Sequence, residues 1–231
     1  MNRPNDFGRL SVFNEIYEQG YWGVGSGSGS SPDAALPYIQ FVENFISTNR
    51  ITSVVDLGCG DWQFSKYLDF SDAEYIGIDV AESVIQRNNE MFARKSVKFR
   101  LFSSYEDVPS ADLLLCKDVL QHLSNQEVFK VFKILSRFRF ALLTNDIQPW
   151  SKAYDALQRL TRKERSSINR DINTGDYRYF DPTKAPFFLD AQNVFEWKIH
   201  KLFLRERISP RNLALGIDHR WRKRTYLHKA N

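Results

Sequence analysis

Two sets of residues, each placed directly after an apolar run, have the side-chain types that bind a nucleoside. Asp56, Gly58 and Gly60 form the first set, in which the glycine spacing allows a tight turn and a close approach of a ligand to the backbone. The second set is a single residue, Asp79, about twenty residues further on. A carboxylate there can accept hydrogen bonds from a ribose diol. Gln63 stands where the dinucleotide pattern requires a third glycine, which disfavours a pyrophosphate. The pattern favours an adenosine-bearing cofactor; the alternative is a structural turn followed by an exposed acid.

An acid and a histidine follow a later apolar run and could serve in proton transfer. His122 has an ordinary pKa near neutrality, which suits a general base. Asp118 precedes it by four residues and could orient its ring. The alternative is that His122 is a structural loop histidine near the start of the next helix. The other histidines show no close ligand spacing, so a zinc site is not expected.

Two polar segments in the C-terminal half could contact a substrate. Asn173, Tyr177 and Arg178 lie in a segment that combines hydrogen-bonding groups with an aromatic ring, as a sugar site does, although the same segment is also an ordinary turn. Residues 205–224 are rich in arginine and lysine and could bind phosphate groups. The alternatives for this basic segment are a solvated face or a contact between subunits.

The apolar pattern predicts alternating strands and helices that would bring these residues together. The predicted strands are 51–57, 74–79, 96–102, 111–116, 138–144, 194–204 and 222–228. The predicted helices are 8–19, 31–48, 61–68, 81–94, 124–135 and 151–165. Because several strands are apolar on both faces, the pattern predicts an α/β fold with a mostly parallel sheet buried under helices. Ligands bind such sheets at the carboxyl ends of the strands, where the residues above lie.

The composition is that of a folded globular protein. The chain has 231 residues, of which 42% are hydrophobic and 26% are charged, which excludes wholesale disorder. No apolar run approaches the ~20 residues of a membrane helix, so no membrane partner is expected. With only Cys59 and Cys116, we expect reduced thiols that serve in packing rather than as a redox pair, and a cytoplasmic location. The net charge of +4 permits an anionic partner without requiring one.

A biased stretch, GVGSGSGSS at residues 23–31, divides the chain unevenly. We expect residues 1–50 to form a helical N-terminal extension that includes this stretch, and residues 51–231 to form the main domain. Small residues leave backbone N–H groups unhindered, so the stretch could bind an anion as a nest does. The alternative is a flexible spacer.

Four motifs in the middle of the chain resemble those of class I methyltransferases dependent on S-adenosylmethionine (SAM). They are VVDLGCGDW, YIGIDV, DLLLCKDVLQHL and FALLTND, and they lie within residues 51–146. The resemblance implies a Rossmann-like, doubly wound sheet of seven strands with the last strand antiparallel, and SAM as the cofactor. It departs from the family at Asp61 and Trp62, where relatives usually have another glycine, and at Ser103, where many relatives have an acid.

The resemblance also implies the positions of the cofactor contacts. Asp79 would hold the ribose hydroxyls, Val80 and the two serines after the third strand would flank the adenine, and Lys117 and Asp118 would face the sulfonium. The full set of implied cofactor-binding residues is Trp22, Ser28, Asp56, Gly58, Gly60, Asp61, Trp62, Asp79, Val80, Ser103, Ser104, Lys117 and Asp118.

A looser resemblance concerns the flanking segments. IYEQGYWGVGSGSGSS, CKDVLQHLS and NTGDYRYFD are similar to segments of methyltransferases associated with glycan modification. Trp22 and Ser28 are expected at the cofactor for this reason.

We therefore expect O-methylation of a sugar, a glycan or another small polar molecule. His122 would act as the base with help from Asp118, and Asn173, Tyr177, Arg178 and Asp146 would contact the substrate. Because acids after the fourth and fifth strands bind metal in magnesium-dependent O-methyltransferases, Asp118 and Asp146 could instead hold Mg²⁺. The open alternatives are an RNA methyltransferase that uses the basic C-terminal region, a reductase dependent on NAD, and a module that binds SAM without using it.

Overall fold

The structure is a computed structural model that describes residues 11–23, 25–70, 72–147, 168–199 and 221–230. A seven-stranded sheet organises this part of the chain. The strands are β1 Ser53–Leu57, β2 Glu74–Asp79, β3 Val97–Leu101, β4 Ala111–Lys117, β5 Phe138–Ile147, β6 Gln192–Ile199 and β7 Trp221–Lys229. Their order in the sheet is β3-β2-β1-β4-β5-β7-β6.

The direction of the strands confirms the predicted fold class. Strands β1 to β5 pair in parallel, whereas β7 is antiparallel to both β5 and β6. The strand order reverses at β1, which has β2 on one side and β4 on the other. The carboxyl ends of β1 and β4 therefore border the crevice in which sheets of this type bind ligands.

Helices cover both faces of the sheet. Those described are α1 Val12–Gln19, α2 Pro32–Asn49, α3 Glu82–Phe92 and α4 Asn125–Ile134. Helix α2 begins with Pro32 directly after the N-cap Ser31, which fits the missing N–H of proline. Helix α4 has Ser124 as its N-cap, and the backbone N–H of Glu127 donates to the Ser124 hydroxyl at 3.3 Å. The Glu127 carboxylate accepts hydrogen bonds from Tyr105 and Lys130.

Strand β4 shows why the sheet is buried on both faces. Leu113, Leu114 and Leu115 are consecutive, and each is at most 2% exposed. Leu114 belongs to the core that contains α4, and its two neighbours belong to the core that contains α2. Since full burial of such a side chain contributes about 1.5–3 kcal/mol, the unbroken apolar run stabilises both layers.

Several local predictions differ from the structure. The helix predicted over residues 61–68 is only a 3₁₀ turn at Ser65–Tyr67, because Trp62 adopts a left-handed backbone (φ 57°) that interrupts a helix. The predicted basic helix 151–165 and most of the basic segment 205–224 lie outside the described residues. The two cysteines are free and buried, as predicted. Among the described residues, no helix combines the length and apolar character needed to cross a bilayer.

Candidate active site

A cavity of about 420 Å³ opens at the carboxyl ends of the strands. It lies beside the point where the strand order reverses, and it is lined by residues from both ends of the described sequence. The residues predicted for the site that line it are Trp22, Ser28, Asp56, Gly58, Asp61, Asp79, Val80, Lys117, Asp118, His122, Asp146 and Tyr177.

The turn after β1 needs glycine for steric reasons. Gly58 has φ 76°, and a Cβ atom there would lie 2.3 Å from Cγ2 of Val119. Its N–H donates to the carbonyl of Ile78 at 2.7 Å, which ties the turn to β2. The turn therefore presents bare backbone to the cavity, as a ligand in close contact requires.

Asp79, at the carboxyl end of β2, accepts hydrogen bonds from the backbone near the turn after β1 and lines the cavity. Its two carboxylate oxygens accept the N–H groups of Gly60 at 2.9 Å and Ala81 at 3.0 Å. Burial raises the pKa of Asp79, and these N–H groups act in the opposite direction. Each oxygen has a further lone pair, so the carboxylate can still accept hydrogen bonds from a ligand diol.

Asp56, at the carboxyl end of β1, is fixed by a tyrosine. Tyr75 donates its hydroxyl to Oδ2 of Asp56 at 2.7 Å, and burial raises the pKa of Asp56 to about 6. The carboxylate is therefore oriented before any ligand binds.

The Gly/Ser strap, which we define as residues 25–30, forms one wall of the cavity. Ser26 donates its hydroxyl to Oδ1 of Asp61 at 2.7 Å and accepts the Asp61 N–H at 3.1 Å. The hydroxyl of Tyr17 lies 2.9 Å from that of Ser26, and the carbonyl of Gly29 accepts a hydrogen bond from Lys117 at 3.2 Å. The strap is thus attached to the turn after β1 and to the end of β4.

A buried ionic cluster lines the cavity where the strap meets the end of β4. Nζ of Lys223 donates to Oδ1 of Asp118 at 2.6 Å and to Oδ1 of Asp146 at 2.8 Å, and Nζ of Lys117 donates to Oδ2 of Asp118 at 2.6 Å. Burial works against the charge of Lys223, yet the two carboxylates raise its pKa above the ordinary value. Burial likewise opposes ionisation of Asp118, but the two ammonium groups lower its pKa to about 2. Lys223 and Asp118 are therefore charged at neutral pH, whereas burial lowers the pKa of Lys117 below its ordinary value.

His122 lines the cavity beside this cluster, in a 3₁₀ turn at Leu120–His122. Its Nδ1 lies 3.0 Å from the carbonyl of Asp176, which can only accept a hydrogen bond. We therefore place the proton on Nδ1 and the lone pair on Nε2. Burial lowers the pKa of His122 below the ordinary 6.5, so the ring is neutral at physiological pH.

The predicted partnership between Asp118 and His122 is wrong in its geometry. The carboxylate of Asp118 is bound by the two lysines, and the Asp176 carbonyl orients the His122 ring instead. Asp118 has a left-handed backbone (φ 61°) and donates its N–H to the Thr144 carbonyl at 2.8 Å, which directs it along the sheet edge.

Asp146 and its neighbours complete the wall near His122. Oδ2 of Asp146 accepts the Tyr177 hydroxyl at 3.0 Å, and the Asp146 N–H donates to Oε1 of Gln121 at 2.7 Å. The rings of Trp22 and Tyr177 lie 5.2 and 5.7 Å from the His122 ring. Burial and the charge of Asp146 raise the pKa of Tyr177, so its hydroxyl stays protonated.

The structure does not support the magnesium hypothesis for Asp118 and Asp146. The two carboxylates do converge, but they share the ammonium of Lys223 at the position where a cation would bind. Among the residues that the structure describes, no group of His, Cys, Asp and Glu side chains is arranged to hold a metal ion.

Six of the predicted contact residues do not line the cavity. The Trp62 ring packs in the core against Phe92 and Phe99, and Gly60 contributes only through its bonds to neighbouring residues. Ser103 and Ser104 both donate to the exposed carboxylate of Asp107. The remaining two are Asn173 and Arg178.

Asn173 and Arg178 hold the loop that carries Tyr177. The Asn173 carbonyl accepts the N–H of Asp176 in a turn. The Arg178 guanidinium is buried and donates to Asn125 and to the carbonyl of Leu123. The contacts of the Arg178 side chain are thus within the protein, whereas substrate contact by Asn173, which is exposed, stays a prediction.

Some cavity residues were missed by sequence reasoning. Tyr17, Ser26, Gln121 and Lys223 were not singled out as site residues, although all four line the cavity. The alternation of side chains along β7 was a signal for Lys223. Residues two apart lie on the same face of a strand, and Lys223 and Thr225 are both at most 1% exposed. The sequence placed this lysine only within a basic segment.

The strand order, the glycine turn after β1 and the carboxylate after β2 together define a class I methyltransferase fold. Three solved structures share it at low sequence identity. Magnesium protoporphyrin IX methyltransferase from Synechocystis PCC 6803, with bound S-adenosylhomocysteine (SAH), is 14% identical, covers 95% of this chain and 99% of its own, and gives a TM-score of 0.58. The N-terminal domain of EvdMO1, in the presence of SAH and D-fucose, is 14% identical with 84% and 82% covered and a TM-score of 0.52. YcgJ from Bacillus subtilis is 14% identical with 83% and 97% covered and a TM-score of 0.52.

Residues 49–185 match a family model described as a methyltransferase domain, which is more than half of the chain. The chain therefore belongs to this methyltransferase family, and the predicted class, a SAM-dependent methyltransferase, is confirmed. The alternative of a reductase dependent on NAD has no support in this assignment. No curated protein sequence gives a significant match.

Proposed function

We propose that the protein transfers the methyl group of SAM to a hydroxyl oxygen of a small neutral molecule, with a sugar as the favoured class. The observation that carries this proposal is the state of His122, which lines the cavity with Nδ1–H bound to a carbonyl and Nε2 unprotonated. A hydroxyl acceptor needs a base for its proton, whereas an amine needs only its lone pair.

The residues at the glycine end of the cavity fit SAM. Asp79 offers a buried carboxylate with spare acceptor capacity, and Gly58 allows close approach to the backbone. Val80 and Tyr105 supply apolar surface for an adenine ring. When bound, SAM supplies a methyl group activated by its sulfonium. The cavity volume of about 420 Å³ lies within the range of small-molecule sites.

At the other end, this chain positions the acceptor and removes its proton. Nε2 of His122 would take the hydroxyl proton, while the Asp176 carbonyl keeps the ring oriented. The strap and apolar residues line the cavity around this point, and displacement of water from there by bound ligands would strengthen each electrostatic interaction. Positioning and proton removal are what methyl transfer requires from the protein.

The surroundings of His122 favour a neutral acceptor with an apolar face. The rings of Trp22 and Tyr177 lie near His122 and can pack against the C–H face of a sugar. Both cavity lysines are paired with aspartates, so they offer no net positive charge to an anionic acceptor. The similar EvdMO1 domain was crystallised in the presence of D-fucose, which agrees with this class.

A methyl-transfer screen with labelled SAM tests the proposal. The acceptors are nucleotide sugars, free glycans, small phenols and RNA, each with Mg²⁺ and with EDTA. We expect label on the oxygen of a neutral hydroxyl compound, with no loss of activity in EDTA. Label on RNA alone, or on nitrogen, would contradict the proposal. Release of no SAH with any acceptor, despite SAM binding, would support the silent binding module instead.

The rate of transfer is expected to depend on pH through His122. Because only the neutral ring accepts a proton, kcat should fall at low pH and level off as the ring deprotonates. Burial lowers the pKa of His122, so the neutral form persists to more acidic pH than for a free histidine. We therefore expect an apparent pKa below 6.5 in the kcat profile. A midpoint above neutrality would assign the proton transfer to another group.

The strap is expected to contribute moderately to cofactor affinity. The change Ser26→Ala removes the hydroxyl that joins Tyr17 to Asp61, and the loss of about 1 kcal/mol should weaken SAH binding about fivefold. Isothermal titration calorimetry measures the change, with Ser83→Ala on the exposed side of α3 as control. Equal affinities for the two variants would mean that the strap does not support the bound cofactor.

A further inference from the structure

The ammonium of Lys223 has more hydrogen-bonding capacity than its protein contacts use. The side chain is 2% exposed and lines the cavity, and Nζ donates to one oxygen each of Asp118 and Asp146. An ammonium has three hydrogens, so one remains beyond its two bonds to the residues that the structure describes. A Cβ on Gly29 would lie 3.3 Å from Nζ, so any larger residue at this position of the strap would crowd the ammonium.

The same corner of the cavity holds the base. Nε2 of Gln121 lies 3.4 Å from both Nε2 of His122 and Oδ2 of Asp146. Lys223 binds the other oxygen of Asp146. Asp146 thus binds the ammonium of Lys223 through one oxygen. Its other oxygen lies near Gln121, which is next to the unprotonated Nε2 of His122.

Two carboxylates share a single positive centre here, although no group of three or more His, Cys, Asp or Glu side chains among the described residues is arranged to hold a metal. Carboxylates from the ends of β4 and β5 converge on a single positive centre, as oxygen ligands do on a divalent cation. A metal in such a position polarises a substrate oxygen and lowers the pKa of a hydroxyl. An ammonium with a spare N–H can donate to the same oxygen.

We propose that Lys223 is a catalytic residue that binds the acceptor oxygen and stabilises its developing negative charge, in place of a metal. This inference rests on the proposed function. The acceptor O–H bond breaks and its proton goes to Nε2 of His122. The oxygen lone pair forms the bond to the methyl carbon, and the C–S electron pair stays on sulfur. Lys223 keeps its proton throughout.

The first test needs no acceptor. The change Lys223→Ala removes the built-in cation and leaves two converging carboxylates, so the variant should bind Mn²⁺ about tenfold or more tightly than the wild type. Mn²⁺ electron paramagnetic resonance measures this, with Lys229→Ala on the exposed end of β7 as control. The double variant Lys223→Ala/Asp146→Asn should lose the gain. Equal Mn²⁺ affinity of Lys223→Ala and wild type would overturn the inference.

The second test uses the acceptor found in the screen. The charge-balanced variant Lys223→Met/Asp146→Asn, which keeps the Lys117–Asp118 pair, should lose about a hundredfold in kcat while SAH affinity stays within about threefold. Addition of Mg²⁺ should raise the kcat of Lys223→Ala about tenfold, whereas EDTA should leave the kcat of the wild type unchanged. Turnover near the wild-type rate in the charge-balanced variant would overturn the inference. If the wild type methylated no acceptor in the screen, that result would contradict the proposed function. It would not bear on the role of Lys223, because the Mn²⁺ measurement needs no acceptor.

Discussion

Replacement of His122 by alanine is expected to lower kcat by about a hundredfold to ten-thousandfold. The ring is the neutral base of the cavity, and its Nδ1–H contact with the Asp176 carbonyl leaves Nε2 to take the acceptor proton. Affinity for SAH should change little, because the carboxylate of Asp79 and the glycine turn lie at the other end of the cavity. The measurement is single-turnover label transfer together with calorimetric SAH binding.

The matched control for this variant is His228→Ala. His228 also places Nδ1 near a backbone carbonyl, that of Asp190 at 2.8 Å, but it does not line the cavity. Loss of rate in both variants would indicate a general effect on folding. A rate within about threefold of wild type in His122→Ala alone would show that the acceptor needs no base, as an amine does not.

Replacement of Asp79 by asparagine is expected to weaken SAH binding by about a hundredfold. The amide keeps the shape of the side chain but replaces one acceptor oxygen with a donor, so it cannot accept both the Gly60 and Ala81 N–H groups. Leaving one of these unpaired costs about 1–3 kcal/mol, and the hydrogen bonds to a ribose diol weaken as well. Calorimetry with SAH and thermal unfolding with and without SAH measure the two parts of the effect.

Asp107→Asn is the control for this change. Asp107 follows the neighbouring strand β3, but its carboxylate is exposed and binds Ser103 and Ser104 outside the cavity. We expect its SAH affinity to match that of the wild type. Should Asp79→Asn also bind SAH normally, the turn after β1 would not depend on this carboxylate, and the cofactor end of the site would need to be placed elsewhere.

The cofactor end of the site could be predicted from sequence because it depends on local signals. Gly58 and Asp79 each come directly after an apolar strand, and the carboxyl ends of neighbouring parallel strands meet at one edge. Trp62 was predicted wrongly because its position next to the glycine turn says nothing about a left-handed backbone that directs the ring into the core. The hydroxyl of Ser103 is bound to Asp107, four residues later, and its contact with the adenine stays a prediction.

The acceptor end could be predicted only in part. Asp118, His122 and Asp146 follow strands and were recognisable, but what binds each of them was not. Lys223 pairs in register with Asp146 across β5 and β7, strands far apart in the sequence, and no local pattern sets that register. The carbonyl that orients His122 belongs to Asp176, 54 residues further along the chain, so no local pattern predicts this contact.

The contact of Lys223 with Asp118 and Asp146 has a consequence for synthesis of the chain. The ribosome makes β4 and β5 well before β7, so a nascent chain carries two converging carboxylates whose shared cation has not yet been translated. Lys117 is already present to pair with Asp118, but the bond that Lys223 makes to Asp146 forms only when β7 inserts. Assembly of the catalytic corner is thus a late event, completed when a strand from the far end of the chain docks and neutralises it.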